Sequence, residues 1–192
     1  MNIVKIAEQI AEQGHKGQFR RGGEPYISHP LAVRDIVKSW ILDYFNWFDH
    51  AELMDYKSKN EIENLVFLCF GHNTDKIKRN KLIEIIEILA ISHDLNEDTE
   101  ISESKFIELL DKEANQYNLG LSKSEYLIIE NCLYNLNKNN HQNYLGYILS
   151  IKNSYLALLV KLADISHNLS TIEKDRKSQI DKYKMAKYIL LN

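Results

Sequence analysis

Both prolines of this 192-residue chain, and four of its seven glycines, lie between Gly14 and Pro30. Proline and glycine are the residues least compatible with helix interiors. With them concentrated in one segment, the rest of the chain is free to run as helix, and its apolar pattern does so. Ile3, Ile6, Ala7, Ile10 and Ala11 form one apolar stripe. Pro30 opens a second helix to about Phe48, since a first-turn proline forfeits no needed N–H. Residues 61–70 are an apolar stretch before Gly71, a helix stop. Lys76 to Leu95 reads as one long helix rich in Ile and Leu. Ser102 caps another from Glu103 to about Tyr117, and Ser122 with Glu125 fits a capping box before Tyr126–Leu136. Asn143–Ser150, Ser154–Thr171 and Gln179–Leu190 complete the set. Strand alternation is scarce and no Asn-Gly or Asp-Gly hairpin signal occurs. The expected class is all-α, one domain over residues 1–192.

Charge and composition narrow the function classes. There are 27 acidic against 24 basic residues, a net charge of −3, which gives no general attraction to nucleic acid or to an anionic membrane. Cys69 and Cys132 each sit in an apolar run and make no disulfide framework. No apolar run approaches the roughly 20 residues that span a bilayer. Glu8 falls where a signal peptide would need its apolar stretch. A soluble cytoplasmic protein is the expectation.

Three constellations carry chemistry. His93-Asp94 ends a long apolar helix and is followed by Glu97 and Asp98. Buried charges need partners, and a divalent metal is one; the ordinary alternative is a helix end running into a solvated acidic turn. Lys161, Asp164, Asn168 and Thr171 form a polar stripe on a helix that begins YLALLV. They suggest a site, or else a buried Asp164 satisfied by Lys161 or His167. The loop HKGQFRRGGEPYISHP holds Arg20 and Arg21, two of only five arginines. Adjacent guanidinium groups suit a phosphate or a flat base, although a basic surface turn would look the same. Together His29, His93, Asp94 and Asp164 supply two imidazoles and two carboxylates. That donor set suits Mn²⁺, Fe²⁺, Co²⁺ or Zn²⁺.

The order His…His-Asp…Asp resembles the signature of the HD phosphohydrolase superfamily, which is all-α. HKGQFRRGGEPYISHPLAV resembles the opening motif of the RelA/SpoT-family hydrolase domain and of the stand-alone small alarmone hydrolases. SHDLNEDT is similar to its second motif, Asn143-Tyr144-Leu145 to a short Asn-Tyr motif, and KLADISHNLST to its final motif. These four motifs span Gly14 to Thr171 in the right order.

The resemblance implies an HD-domain helical bundle that binds one Mn²⁺ and removes the 3′-pyrophosphate from (p)ppGpp. Carried onto this chain, it makes His29, His93, Asp94 and Asp164 the metal ligands. Glu97 and Asp98 become the catalytic acidic pair, with the base among them undecided. Arg20 becomes the residue that stacks on guanine, and Arg21 a basic position near the phosphates. Tyr144, Lys161, Asn168 and Thr171 become residues of the nucleotide site. The chain departs from the family pattern at Ile165 and Ser170, where relatives carry arginine, and at Gly22, where some relatives carry a hydroxyl. The spacing from His29 to His93 is unusually long, so residues about 42–80 read as a helical insertion that is a lid, a dimer surface or extra core, with core the favoured reading for Phe45, Trp47, Phe48 and the Phe67–Phe70 run. Ending at Asn192, the chain has no room for the synthetase domain of the long relatives, so it reads as a hydrolase alone. Alternatives kept open are a relative acting on (p)ppApp or NADPH, and a non-catalytic nucleotide sensor. A homo-oligomer is also left open. His15 reads as a loop residue, His50 and His72 as solvated, and His167 as a packing or outer-sphere residue. The Asn-rich stretch 135–143 reads as a solvated turn with no packing role.

Overall fold

The computed structural model describes residues 1–48, 61–70 and 76–192. In chain order the helices are α1 (Ile3–Gly14), α2 (Ser28–Phe48), α3 (Glu61–Phe70), α4 (Lys76–Ser92), α5 (Leu95–Asp98), α6 (Glu103–Gln116), α7 (Lys123–Leu136), α8 (Tyr144–Ile151), α9 (Tyr155–Thr171) and α10 (Lys177–Leu191). A 3₁₀ turn, Lys138–Asn140, links α7 to α8. The all-α expectation holds. Among the described residues the sole β-type pairing is an isolated bridge between Phe19 and Pro25. His50, His72 and Gly71 lie outside the described residues, as do the side chains of Trp47, Phe48 and Phe70. No described helix is long and apolar enough to cross a membrane.

The helix starts follow the side chains that can cap them. Ser102 accepts from Lys105 N, and Ser154 from Ala157 N. Ser122 and Glu125 satisfy one another's backbone N–H in a full capping box. Asn143 accepts from Gly146 N at the start of α8.

α2, α4 and α9 form the centre. α2 packs on both α4 and α9, α1 closes over α4 and α6, and α7 covers α4 and α9. Two buried runs mark the core, Ile85 to Leu95 along α4 and α5 and, interrupted by the half-buried Lys161, Ala157 to Ile165 in α9. Ser92, His93, Asp94 and Asp164 lie toward the carboxyl ends of these runs, and Glu87, earlier in α4, is paired with Lys38 at 2.7 Å. Phe45, Leu65 and Val66 are buried and Phe67 is half-buried, so the described aromatics between 42 and 70 are core.

One boundary differs. The helix expected to reach Leu95 stops at Ser92, and Asp94 turns the chain into the separate short helix α5. Gly14, the last residue of α1, permits this corner to pack closely, because a Cβ there would lie 2.6 Å from Leu95 Cδ1. The glycine-rich segment forms a small closed loop. Arg20 N donates to Glu24 O at 2.8 Å and Tyr26 N to Gln18 O at 3.0 Å, with Gly23 at φ +90° turning the tip.

Candidate functional site

Three chain segments meet where the carboxyl end of α4 approaches the start of α2 and the middle of α9. The first turn of α2 brings His29, the end of α4 brings His93 and Asp94, and the middle of α9 brings Asp164. All four are buried. His29 Nε2 lies 3.1 Å and His93 Nε2 3.6 Å from the same oxygen, Asp164 Oδ1. Donor atoms of His29, His93 and Asp164 all fall within 4.8 Å of one another, as one metal ion requires. Asp94 Oδ2 stands 3.9 Å from each of the two Nε2 atoms, on the rim of that group.

The polar atoms around these groups are unevenly satisfied. His93 Nδ1 is 2.8 Å from Ala90 O, which can only accept, so His93 carries its hydrogen there and turns Nε2 inward. Asn168 Nδ2 donates to Asp164 Oδ1 at 2.6 Å, and Lys161 Nζ donates to Asp164 Oδ2 at 2.8 Å. Asp94 is less well served: both of its oxygens are buried and accept no hydrogen bond of good geometry, the nearest being His15 Nε2 at 3.5 Å from Oδ1. A buried carboxylate left in that state costs several kcal/mol unless a charge partner joins it. Two imidazole nitrogens beside two carboxylates fit a divalent first-row cation.

The electrostatics agree with a cluster built around mutual charge. Burial opposes a charge on His93, yet Asp94 and Asp164 outweigh it and raise its pKa to about 9. Burial also disfavours the Asp94 carboxylate, but His93, His15 and His29 bring it down to about 2. The same contest at Asp164 is won by the Lys161 ammonium and the two histidines, which hold it well below the carboxylate range. His167 goes the other way. Burial, His29 and the Arg20 charge push its pKa down to about 4.

A cleft of about 370 Å³ opens over the four residues. Glu97 and Asp98, at the end of α5, line it. Lys138 holds both oxygens of Glu97, with its backbone N on Oε1 and its Nζ on Oε2, each at 2.6 Å. Tyr26 OH donates to Asp98 Oδ2 at 2.6 Å. Arg20, Arg21, Tyr144, Lys161 and Asn168 line the same cleft. Thr171 does not. It lines a second cleft of about 540 Å³, which shares Arg20, Arg21, Asn168 and Tyr183 with the first. Arg20 is fixed between the two, with Nη1 3.3 Å from His167 Nδ1 and Nη2 3.3 Å from Thr171 Oγ1. Arg21 is largely exposed, 3.8 Å from Glu173. Tyr144 lies under Lys182 Nζ, 4.0 Å from its ring centre.

Several residues of this region were not expected from the sequence. His15 lies in the turn after α1, as expected of a loop residue, but it is buried. It caps the end of α1, stacks on Tyr26 at 4.6 Å and comes within 3.5 Å of Asp94 Oδ1. The Asn-rich stretch has a packing role after all. Asn137 and Asn140 both donate to Glu103 Oε1, and Lys138 reaches the cleft. Tyr26, Tyr147, Lys182 and Tyr183 also line the main cleft. The signals available were slight: Tyr26 stands inside the most chemically loaded loop, and Lys138 is the one charge in a neutral turn. At the departures from the family pattern, Ile165 is fully buried and Ser170 Oγ donates to His167 O.

No family model matches the chain. Individual relatives do. It is 27% identical over 163 residues, 85% of its length, to a Haemophilus influenzae protein named guanosine-3′,5′-bis(diphosphate) 3′-pyrophosphohydrolase. It is 25% identical over 169 residues, 88% of its length, to the Escherichia coli bifunctional (p)ppGpp synthase/hydrolase SpoT. It is 26% identical over 173 residues, 90% of its length, to a GTP pyrophosphokinase of Myxococcus xanthus. The chain spans only 18%, 18% and 17% of these relatives' own lengths.

Proposed function

We propose that this RelA/SpoT-like chain is a metal-dependent hydrolase of guanosine alarmones, removing the 3′-pyrophosphate of (p)ppGpp to leave GDP or GTP. The observation that carries the reading is the convergence of His29, His93 and Asp164 on one point beside Asp94, whose two buried oxygens have no donor. The relatives' names cover both making and breaking of the nucleotide. The histidine–aspartate cluster with an acidic pair beside it favours breaking.

His29, His93, Asp94 and Asp164 would hold one divalent ion, which we take to be Mn²⁺. When bound, such an ion supplies a Lewis acid and makes hydroxide accessible near neutral pH. The chain's own residues do the rest. Arg20 presents a flat guanidinium, steadied by His167 and Thr171, on which a purine can stack. Arg21, Lys161 and Lys182 bring positive charge to the cleft that would receive the pyrophosphate. Glu97 is clamped through both oxygens by Lys138 and serves to orient water, whereas Tyr26 engages one oxygen of Asp98. That difference assigns proton acceptance to Asp98. Water adds to the phosphorus that is linked to the 3′ oxygen. The bond from that phosphorus to the 3′ oxygen breaks, the nucleoside hydroxyl takes up a proton, and pyrophosphate leaves.

The test is product analysis of the purified protein with Mn²⁺ and ppGpp, ppApp or NADPH, beside an Asp164→Ala control. Pyrophosphate and GDP from ppGpp, absent in the control, are expected. Turnover of ppApp or NADPH alone would move the substrate and keep the site. Nucleotide binding with no turnover of any of the three would make the protein a sensor.

A further inference from the structure

His167 lies outside the group of candidate ligands, yet it touches one of them. His29 Nδ1 and His167 Nδ1 are 2.7 Å apart, with ring centroids at 4.9 Å. At that distance one nitrogen carries the hydrogen and the other the lone pair. Arg20 decides which. Its Nη1 donates to the same His167 Nδ1 at 3.3 Å, and a guanidinium has no acceptor. A hydrogen on His167 Nδ1 would face that N–H head-on. The lone pair is therefore on His167, and the hydrogen is on His29 Nδ1. With that hydrogen on Nδ1, His29 Nε2, 3.1 Å from Asp164 Oδ1, is the atom left to bind a cation. His93 Nε2 is turned inward by another partner, the carbonyl oxygen of Ala90 that engages its Nδ1. One inward-facing imidazole is thus set by the backbone and the other by a side chain.

We propose that His167 is the positioning residue for His29: its Nδ1 accepts the His29 Nδ1–H and so holds His29 Nε2 toward the cation position beside Asp164. The inference rests on reading His29, His93, Asp94 and Asp164 as a metal site. It adds that the metal ligand and Arg20 share one anchor atom, which ties the arginine between the two clefts to the geometry of the ion.

Partners that fix a metal-bound histidine through its other nitrogen typically contribute about 10–100-fold in affinity. Calorimetric titration with Mn²⁺ of the wild type, His167→Phe, His167→Gln and His93→Ala tests the proposal. His167→Phe, which keeps a ring and loses the acceptor, is expected to bind about 10–100-fold more weakly. His167→Gln restores an acceptor oxygen and is expected to recover most of that loss. His93→Ala is expected to lose binding altogether. Wild-type affinity in His167→Phe, with binding lost in His93→Ala, would overturn the positioning role alone. Wild-type affinity in His93→Ala would overturn the metal site and this inference with it. Should His167→Phe fail to fold, nitrogen-15 NMR of the wild-type His167 ring decides the matter. A bare Nδ1 is expected, and a hydrogen on that atom would refute the proposal.

Discussion

Two carboxylates in this protein are held in opposite ways. Glu103, at the start of α6, accepts from the side-chain amides of Asn137 and Asn140 at 2.8 and 2.9 Å. Asp94, at the end of α4, is 7% exposed, and neither of its oxygens accepts a hydrogen bond. The first arrangement is complete as it stands. It ties the turn after α7 back to α6, and its contribution to stability is of the usual size for a hydrogen bond, about 1 kcal/mol. The second is complete only with a charge partner, supplied by the histidines in the metal-free protein and, in our reading, by a cation when one binds. Polar clusters of similar composition therefore differ in purpose, and the difference is visible in which oxygens lack donors.

The sharpest way to break this contrast is to remove ligands. Asp164→Ala and His93→Ala are expected to abolish Mn²⁺ binding in calorimetry and to cut pyrophosphate release to background. A normal rate in either would sink the site. Next in size is the acidic pair. Asp98→Ala is expected to lower kcat by about 10²–10⁴-fold with metal binding retained, and Glu97→Ala by less. Equal loss at both positions, measured by steady-state kinetics, would remove the distinction drawn between a proton acceptor and an orienting carboxylate.

Acid and base then separate the two clusters. The pKa of His93 is raised above its unfolded value, to about 9. Its contribution in metal-free protein is fully present below about 6.5 and is lost as pH rises through about 9. Glu103 is depressed instead, since burial is outweighed by its hydrogen bonds taken together, the Asn137 amide being the largest of them. Its contribution is present above about 4.5 and is lost as pH falls. Thermal unfolding of metal-free protein across pH should show stability declining at both ends. Adding Mn²⁺ should remove the alkaline decline and leave the acid one. The smallest effect is expected from Asn140→Ala, a loss of about 1 kcal/mol in denaturant unfolding with Mn²⁺ affinity unchanged. A change in that affinity would show that the two clusters are coupled.

Much of this architecture could be read from residues whose structural effect is local. Ser102, Ser122 with Glu125, and Ser154 start helices because their side chains reach backbone N–H groups three residues on, a fact independent of the rest of the fold. The boundary at Ser92 was missed because apolar periodicity runs on through Leu95, which is buried as expected but belongs to a new helix. His29, His93, Asp94 and Asp164 were named from motifs, and the structure places them together. Tyr26, Lys138, Lys182 and Tyr183 were not named, because a tyrosine or lysine in a polar segment is ordinary until helix packing directs it into a cleft. His15 lies in a loop as expected, but its burial against Tyr26 and Asp94 depends on packing that no local pattern announces.

The placement of ligands on the two buried runs also governs how the molecule opens. Amides in segments like Ile85 to Leu95 and the core of α9 exchange with solvent only when the whole structure unfolds, whereas a short surface loop exchanges by local fluctuation. His93, Asp94 and Asp164 thus belong to the most buried part of the chain, and Arg20, in a short loop held by the Arg20–Glu24 and Tyr26–Gln18 backbone bonds, to a more exposed one. In our reading, a nucleotide would then enter and leave by local opening of the arginine loop, while the groups that would grip the ion stay locked until the protein itself comes apart.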